Sequence, residues 1–210
     1  MMIEGRSSGL LLGPSRPTPR PCVPQRRQQQ QQHKQRQRAR ALSGVPDTDA
    51  PPFTSLSTPV YSLSSRGAGG GAPTLNIVTY ASPVAIAPVR KYAVGLYVGT
   101  LSWQNVKETG HCALQILQQS HSSLVPLLGK RSGRDVDKLA EVERLGFSLK
   151  DAFGLPVLAD AAGILELRVS SDFIPCGDHD VVVCDVVAWR DAAGPRAPLY
   201  TAYLKQTGLL

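Results

Sequence analysis

The chain has 210 residues, 42% of them hydrophobic, and a formal net charge of +7. That length accommodates one domain or two. All of the excess charge lies in residues 1–75, so residues 76–210 are formally neutral and offer no electrostatic reason to bind nucleic acid. No apolar run approaches the ~18 residues of a membrane span. Of the four cysteines, Cys22 stands apart from Cys112, Cys176 and Cys184, and three thiols cannot all pair, which argues against a disulfide framework.

Residues 1–70 are expected to be a disordered leader. They contain a Gln tract, a Ser/Pro/Gly stretch ending in RGAGGGAP, and no apolar face at helical or strand spacing. No acid occurs between Glu4 and Asp47, while arginines and hydroxyls abound. That is the profile of an organelle transit peptide, with the chloroplast the first choice and the mitochondrion the second. A basic tail that binds something acidic has the same composition.

The folded domain is expected over residues 71–210, and from Thr74 onward its pattern is mostly strand. TLNIVTYASPVAIAP is β-branched and ends at Pro88. KYAVGLYVG puts Val94, Leu96 and Val98 on one face and Gly95, Tyr97 and Gly99 on the other. HCALQIL and GILELRVSS alternate in the same way. DVVVCDVVAW is so apolar that it is expected to be covered on both faces. PLYTAYLKQ reads as a last strand. Helices are few. SSLVPLLG predicts a short one capped by Ser122 or Ser123 and stopped by Gly129. DVDKLAEVERLGF predicts a clearer one, capped by Asp135 or Asp137, striped by Leu139, Val142 and Leu145, and ended by Gly146. Six or so strands with two short helices suggest an antiparallel barrel, which removes exposed strand edges.

Four stretches carry polar residues in a recurring order: NIVTYASPV, GTLSWQNV, GKRSGRDVDKL and GDHDVVVCDV. Their order and separations resemble the flavin reductase-like family with the FMN-binding split barrel. Its usual elements are a first strand dotted with Ser, Thr and Asn, an S-x-x-N element after the second strand, an S-G-x-x-x-D-K stretch, and G-D-H heading a late strand. Here the last three are Ser102 to Asn105, Ser132 to Lys138, and Gly177 to His179, and the match spans Asn76 to Trp189. The resemblance implies a six-stranded Greek-key barrel, a homodimer, FMN near the dimer interface, and hydride transfer from NAD(P)H to flavin. It leaves room for an FMN binder on the same fold without NAD(P)H reductase activity. A cofactor-free β-barrel interaction module is a third possibility, from a different class.

The residue chemistry suits a flavin, which needs short hydroxyls, amides, backbone N–H groups and a cation or two. Asn76, Thr79, Tyr80 and Ser82 come from the first motif, though on a regular strand Thr79 faces away from the other three. GTLSWQNV offers Thr100, Ser102 and Asn105, either as an anion nest after Gly99 or as an ordinary turn with Ser102 capping a helix at 103–109. Trp103 is expected to pack over the barrel. GKRSG is not a Walker motif, since Leu124 and Arg131 stand where glycine and Ser/Thr are required. Lys130 and Arg131 either meet the flavin phosphate or form a solvated basic turn, and Lys138 is expected to be structural. His179 either orients the pyridine nucleotide, donating to its carboxamide, or buttresses its own turn. Cys184 stands where the family often has glycine, so its thiol enters space normally left open. Cys176, His179 and Cys184 fit no standard metal-ligand spacing, and no metal is expected.

Overall fold

A computed structural model describes residues 52–192 and 196–210. The compact unit is Pro52–Leu210. The first of its ten strands, β1 (Tyr61–Arg66), lies inside the segment assigned above to the leader, so the folded unit begins at Pro52 and not at residue 71. The expected disorder and targeting role of residues 1–51 fall outside the described residues.

After β1 come β2 (Pro73–Val78), β3 (Ala81–Ala85), β4 (Lys91–Tyr97), helix α1 (Leu101–Thr109) and β5 (His111–Ile116). Helices α2 (Val125–Lys130) and α3 (Lys138–Arg144) precede the hairpin of β6 (Leu149–Ala152) and β7 (Leu155–Leu158). The chain ends with β8 (Gly163–Val169), β9 (Ile174–Cys176), β10 (His179–Asp191) and α4 (Thr201–Gln206). The main sheet runs β2-β1-β5-β8-β10-β4-β3, with β9 added to β10. Every pair is antiparallel.

The consecutive strands β2 and β3 sit at opposite edges of this sheet. They are one polar strand broken at Thr79–Tyr80, half pairing with β1 and half with β4. The break curls the sheet around on itself. Counted as one bent strand beside β1, β4, β5, β8 and β10, they give the six strands of the split barrel. The close approach of β3 demands a glycine on β4, because a Cβ at Gly95 would lie 2.9 Å from the Cβ of Tyr80. The Gly95 N–H donates to the Tyr80 carbonyl at 2.7 Å.

Alternation along the central strands builds two cores. Leu63, Val94, Leu96, Cys112, Leu114, Leu167, Val182 and Cys184 fill the barrel. Val60, Ala113, Leu117 and Ile164 point outward and are covered by α2, α3, the β6–β7 hairpin and α4. Each fully buried leucine contributes about 1.5–3 kcal/mol. The outer face of β1 is polar and still buried. Ser64 donates to the Pro156 carbonyl at 2.6 Å, while Gln115 accepts the Leu158 N–H at 2.7 Å.

Three local elements differ from expectation, and a fourth, α3, follows it. β10 is covered on one face only: Asp180, Val182 and Cys184 point inward, while Val187 and Trp189 are exposed. In PLYTAYLKQ, Pro198 and Tyr200 make only isolated bridges and Thr201–Gln206 forms the helix α4, since Leu204 is buried and Tyr203 packs beside it in the outer core, a spacing that a strand could not bury on one face. The α2 segment takes no serine cap. It begins as a 3-10 turn at Gln119–Leu124, where Gln118 and His121 satisfy each other's backbone N–H groups, and the helix runs through Gly129 to Lys130. The α3 helix is capped by Asp137, whose carboxylate accepts from Leu139 and Ala140. No described helix is long and apolar enough to cross a membrane.

Candidate functional site

The polar motifs converge on two neighbouring cavities. The smaller, about 270 Å³, is walled by Thr74 and Asn76 of β2, the end of β4, the first turn of α1, the loop Arg131–Gly133 and Lys138 of α3. Three of the four motifs therefore meet there. The α1 turn is made by Thr100, whose hydroxyl accepts the Trp103 N–H at 3.2 Å and donates to the Tyr97 carbonyl at 2.9 Å. The helix begins at Leu101 with Thr100 as its cap, so Ser102 is not the cap but a buried wall residue. The N–H groups of Leu101 and Ser102 have no partner within the helix, and its positive dipole end adjoins the cavity. Gly133 leaves room at the wall, because a Cβ there would lie 2.5 Å from the Thr74 hydroxyl.

Lys138 is the decisive group. It is only 4% exposed, and its ammonium donates to the Leu128 carbonyl at 2.7 Å and to the Asn76 side-chain oxygen at 3.3 Å. Both partners are neutral. Burial lowers its pKa from 10.5 to about 8. A buried cation held by neutral oxygens is costly unless a counter-charge arrives. With Arg131 and the α1 terminus on the same walls, the donor set fits a phosphate.

The larger cavity, about 620 Å³, is lined by Thr79, Tyr80, Ser82, Gly95, Cys176, Asp178 and His179 among others, with no Lys or Arg among the described residues on its walls. Gly177 has φ +80°, the left-handed geometry that makes the turn into β10. His179 Nδ1 lies 2.8 Å from the Asp178 carboxylate. Donation there leaves Nε2 as an acceptor in the neutral ring, not the donor expected for a carboxamide oxygen. The His179 ring stands edge-on between Tyr80 and Tyr97, 5.1 Å from each. Tyr97 also walls the smaller cavity, so the His179–Tyr97 contact lies where the two spaces adjoin.

The predicted residues thus divide. Asn76, Thr100, Ser102 and Arg131 wall the smaller cavity, and Thr79, Tyr80, Ser82 and His179 the larger. The bend at Thr79–Tyr80 separates Asn76 from its three sequence neighbours. Asn105 and Lys130 line neither space. Asn105 is buried under α1, donating to the Ala72 carbonyl at 3.3 Å and to Ser65 at 3.4 Å, because it lies one helical turn beyond Ser102 on the buried side. Lys130 is exposed at the C-terminal end of α2. Cys184 faces the barrel interior with Cys112, away from both cavities. Hydrogen-bonding contact with Cys184, and then burial, push the Cys112 thiol well above its ordinary pKa. Sequence reasoning passed over Lys138 as a ligand residue. The available signal was its i, i+4 spacing to Val142, which places a cation on the buried stripe of α3.

Comparison with known proteins agrees with this architecture. The family model described as "Flavin reductase like domain" matches residues 53–205. No curated protein matches the sequence. Flavoredoxin from Methanosarcina acetivorans is 17% identical with a TM-score of 0.58, over 70% of this chain and 74% of that one. An FMN-binding protein from Thermus thermophilus, solved with bound 1-cyclohex-2-enone, is 18% identical with a TM-score of 0.58, over 70% and 79%. A protein from Sinorhizobium meliloti 1021 described as an oxidoreductase is 19% identical with a TM-score of 0.59, over 70% of this chain and only 48% of that one. At these identities the likeness is one of fold.

Proposed function

Because the chain belongs to the flavin reductase-like domain family, we propose that it is an FMN-binding flavoprotein that passes hydride from NAD(P)H to flavin. The observation that carries the flavin reading is the Lys138 cation held by neutral partners in a phosphate-sized cavity, adjoining a larger cavity with an aromatic wall and no cation among the described residues. Lys138, Arg131 and the α1 N–H groups hold the phosphate. Asn76 keeps the Lys138 ammonium at the wall. Tyr80, His179 and Tyr97 bound the ring end, and Thr79 and Ser82 supply hydroxyls there. When bound, the flavin supplies the hydride-accepting chemistry, and the protein contributes orientation and electrostatics. His179, steadied by Asp178, orients the nicotinamide by accepting a hydrogen bond at Nε2.

The test is spectroscopic. The purified protein is expected to bind FMN with the visible bands of a bound flavin, and those bands to bleach when NAD(P)H is added anaerobically. Binding without bleaching would leave an FMN binder that is not an NAD(P)H reductase. No binding of FMN or riboflavin would leave the interaction module.

Two further parts of the reading have narrower support. Homodimer formation is supported by the exposed apolar side chains of Val84 on β3, Ile86 just beyond it, and Val187 and Trp189 on β10, with Ile86 75% and Trp189 58% exposed. Light scattering tests it. Chloroplast targeting is supported by the acid-poor, Arg-rich composition of residues 1–46, and a fluorescent fusion tests it.

A further inference from the structure

Asp180 is an acid where the barrel needs none. It is 8% exposed, it points inward beside Val182 and Cys184, and it follows His179 directly. A buried carboxyl group is retained only where a hydrogen bond holds it. That bond comes from α1: the indole Nε1–H of Trp103 donates to Asp180 Oδ2 at 2.7 Å. Lys107 lies over the same indole, 4.7 Å from the ring centre. The backbone N–H of Trp103 is also committed, closing the Thr100 cap at 3.2 Å. One residue therefore joins the α1 turn that walls the smaller cavity to the β10 start that walls the larger one.

We infer that Trp103 and Asp180 are a positioning pair that fixes the phosphate end of the site relative to the ring end. The inference rests on the flavin reading above and adds how the two ends are kept in register. The core alone does not supply this. Trp103 packs against the barrel as any large apolar residue would, but packing leaves a helix free to slide, whereas a directional bond to a strand terminus does not. A ligand that reaches both cavities is sensitive to their separation. A ligand that lacks the phosphate is not.

The test compares FMN with riboflavin on the full chain and three variants. Trp103→Phe keeps an aromatic ring, though a smaller one, and removes the N–H, Asp180→Leu removes the acceptor, and Asp180→Asn keeps an acceptor oxygen. Fluorescence titration is expected to show FMN binding weakened at least about fivefold in Trp103→Phe and Asp180→Leu. Riboflavin binding should stay within about twofold, and Asp180→Asn should remain near the parent. In flavin-free protein, the Trp103 indole N–H resonance should shift in Asp180→Leu and hold in Asp180→Asn, which a general loss of stability would not reproduce. If the parent binds FMN and both disruptive variants bind it equally well, the positioning role is overturned while the flavin reading stands. Equal weakening of FMN and riboflavin also overturns it, by showing a structural bond only. If the parent binds neither flavin, the functional reading falls and takes this inference with it.

Discussion

Asn76 of β2 accepts a hydrogen bond from Lys138 of α3 at 3.3 Å, across 62 residues of sequence and at the wall of the phosphate-sized cavity. The pair joins the first polar strand to the S-G-x-x-x-D-K stretch. It also stores a cost, since the cation is buried against neutral partners.

Replacing Lys138 with methionine should therefore raise the stability of the flavin-free protein while removing FMN affinity. The folded pKa of about 8 lies below the ordinary 10.5, so between those values the unfolded chain binds more protons. Stability of the parent should rise with pH across that window, and the penalty is fully present below about pH 8. Its size is ~3 kcal/mol, from the fall of the pKa from 10.5 to about 8. Thermal melts between neutral pH and about 10.5 check this. Lys138→Met should melt higher at neutral pH and lose the alkaline rise.

The same titration governs the ligand. An ammonium attracts phosphate and a neutral amine does not, so FMN affinity should fall as pH rises past about 8, with bound phosphate moving the midpoint upward. Riboflavin affinity should be flat through the same range. Parallel titrations of the two flavins would expose the idea as wrong if their pH profiles coincided.

Arg131 and Asn105 should separate cleanly. Arg131→Ala removes an exposed cation from the cavity wall, so it should weaken FMN by about 1.5–3 kcal/mol with little change in melting temperature. Asn105→Ala leaves the Ala72 carbonyl and the Ser65 hydroxyl without their donor, so it should cost about 1–3 kcal/mol of stability. Its effect on FMN should be indirect and small. Equal loss of FMN affinity in both variants would contradict this division of roles.

A fragment that starts at residue 71 should fail to fold. It lacks β1, which pairs with both β2 and β5 and buries Leu63, and it lacks the fully buried Val60 just before that strand. Circular dichroism should show no cooperative transition. A cooperative melt of that fragment would mean that β1 is dispensable.

β1 also shows where the sequence misleads. YSLSSR lies in a stretch rich in Ser, Pro and Gly, and serines on a strand read as a loop. Their burial depends on β7, whose Pro156 carbonyl receives the Ser64 hydroxyl from 92 residues away. No local pattern carries that information. Alternation was legible where one face meets a core, as in KYAVGLY and GILELRV. The motif order was legible because the polar residues recur at strand ends and helix starts. The break at Thr79–Tyr80 was not, since it follows from β2 and β3 joining opposite edges of the sheet. Lys138 was misjudged because a lysine just after an aspartate cap is usually solvated, and what encloses it here, Asn76, the end of α2 and the loop at Arg131–Gly133, is brought together only by the fold.

His179→Ala should leave the fold and FMN binding nearly intact while slowing flavin reduction by NAD(P)H. The ring is half-buried at the start of β10, outside the inward-facing Val182 and Cys184, so its loss opens little cavity. It does forfeit two edge contacts, to Tyr80 and Tyr97, each worth about 0.5–1.5 kcal/mol in a fully buried pair and less in one this exposed. The turn survives, because Gly177 keeps its left-handed geometry and the Asp178 carbonyl still accepts the Val98 N–H at 3.0 Å. If Nε2 orients the nicotinamide, its removal costs about 1–2 kcal/mol at the transition state, or roughly 5- to 30-fold in rate. The phosphate contacts lie in the other cavity, so the FMN dissociation constant should move much less. Stopped-flow reduction, flavin titration and a melting curve on the same variant decide between the two roles open to this residue. An unchanged reduction rate beside a large fall in melting temperature would make His179 a buttress for Tyr80 and Tyr97 with no part in positioning the hydride donor.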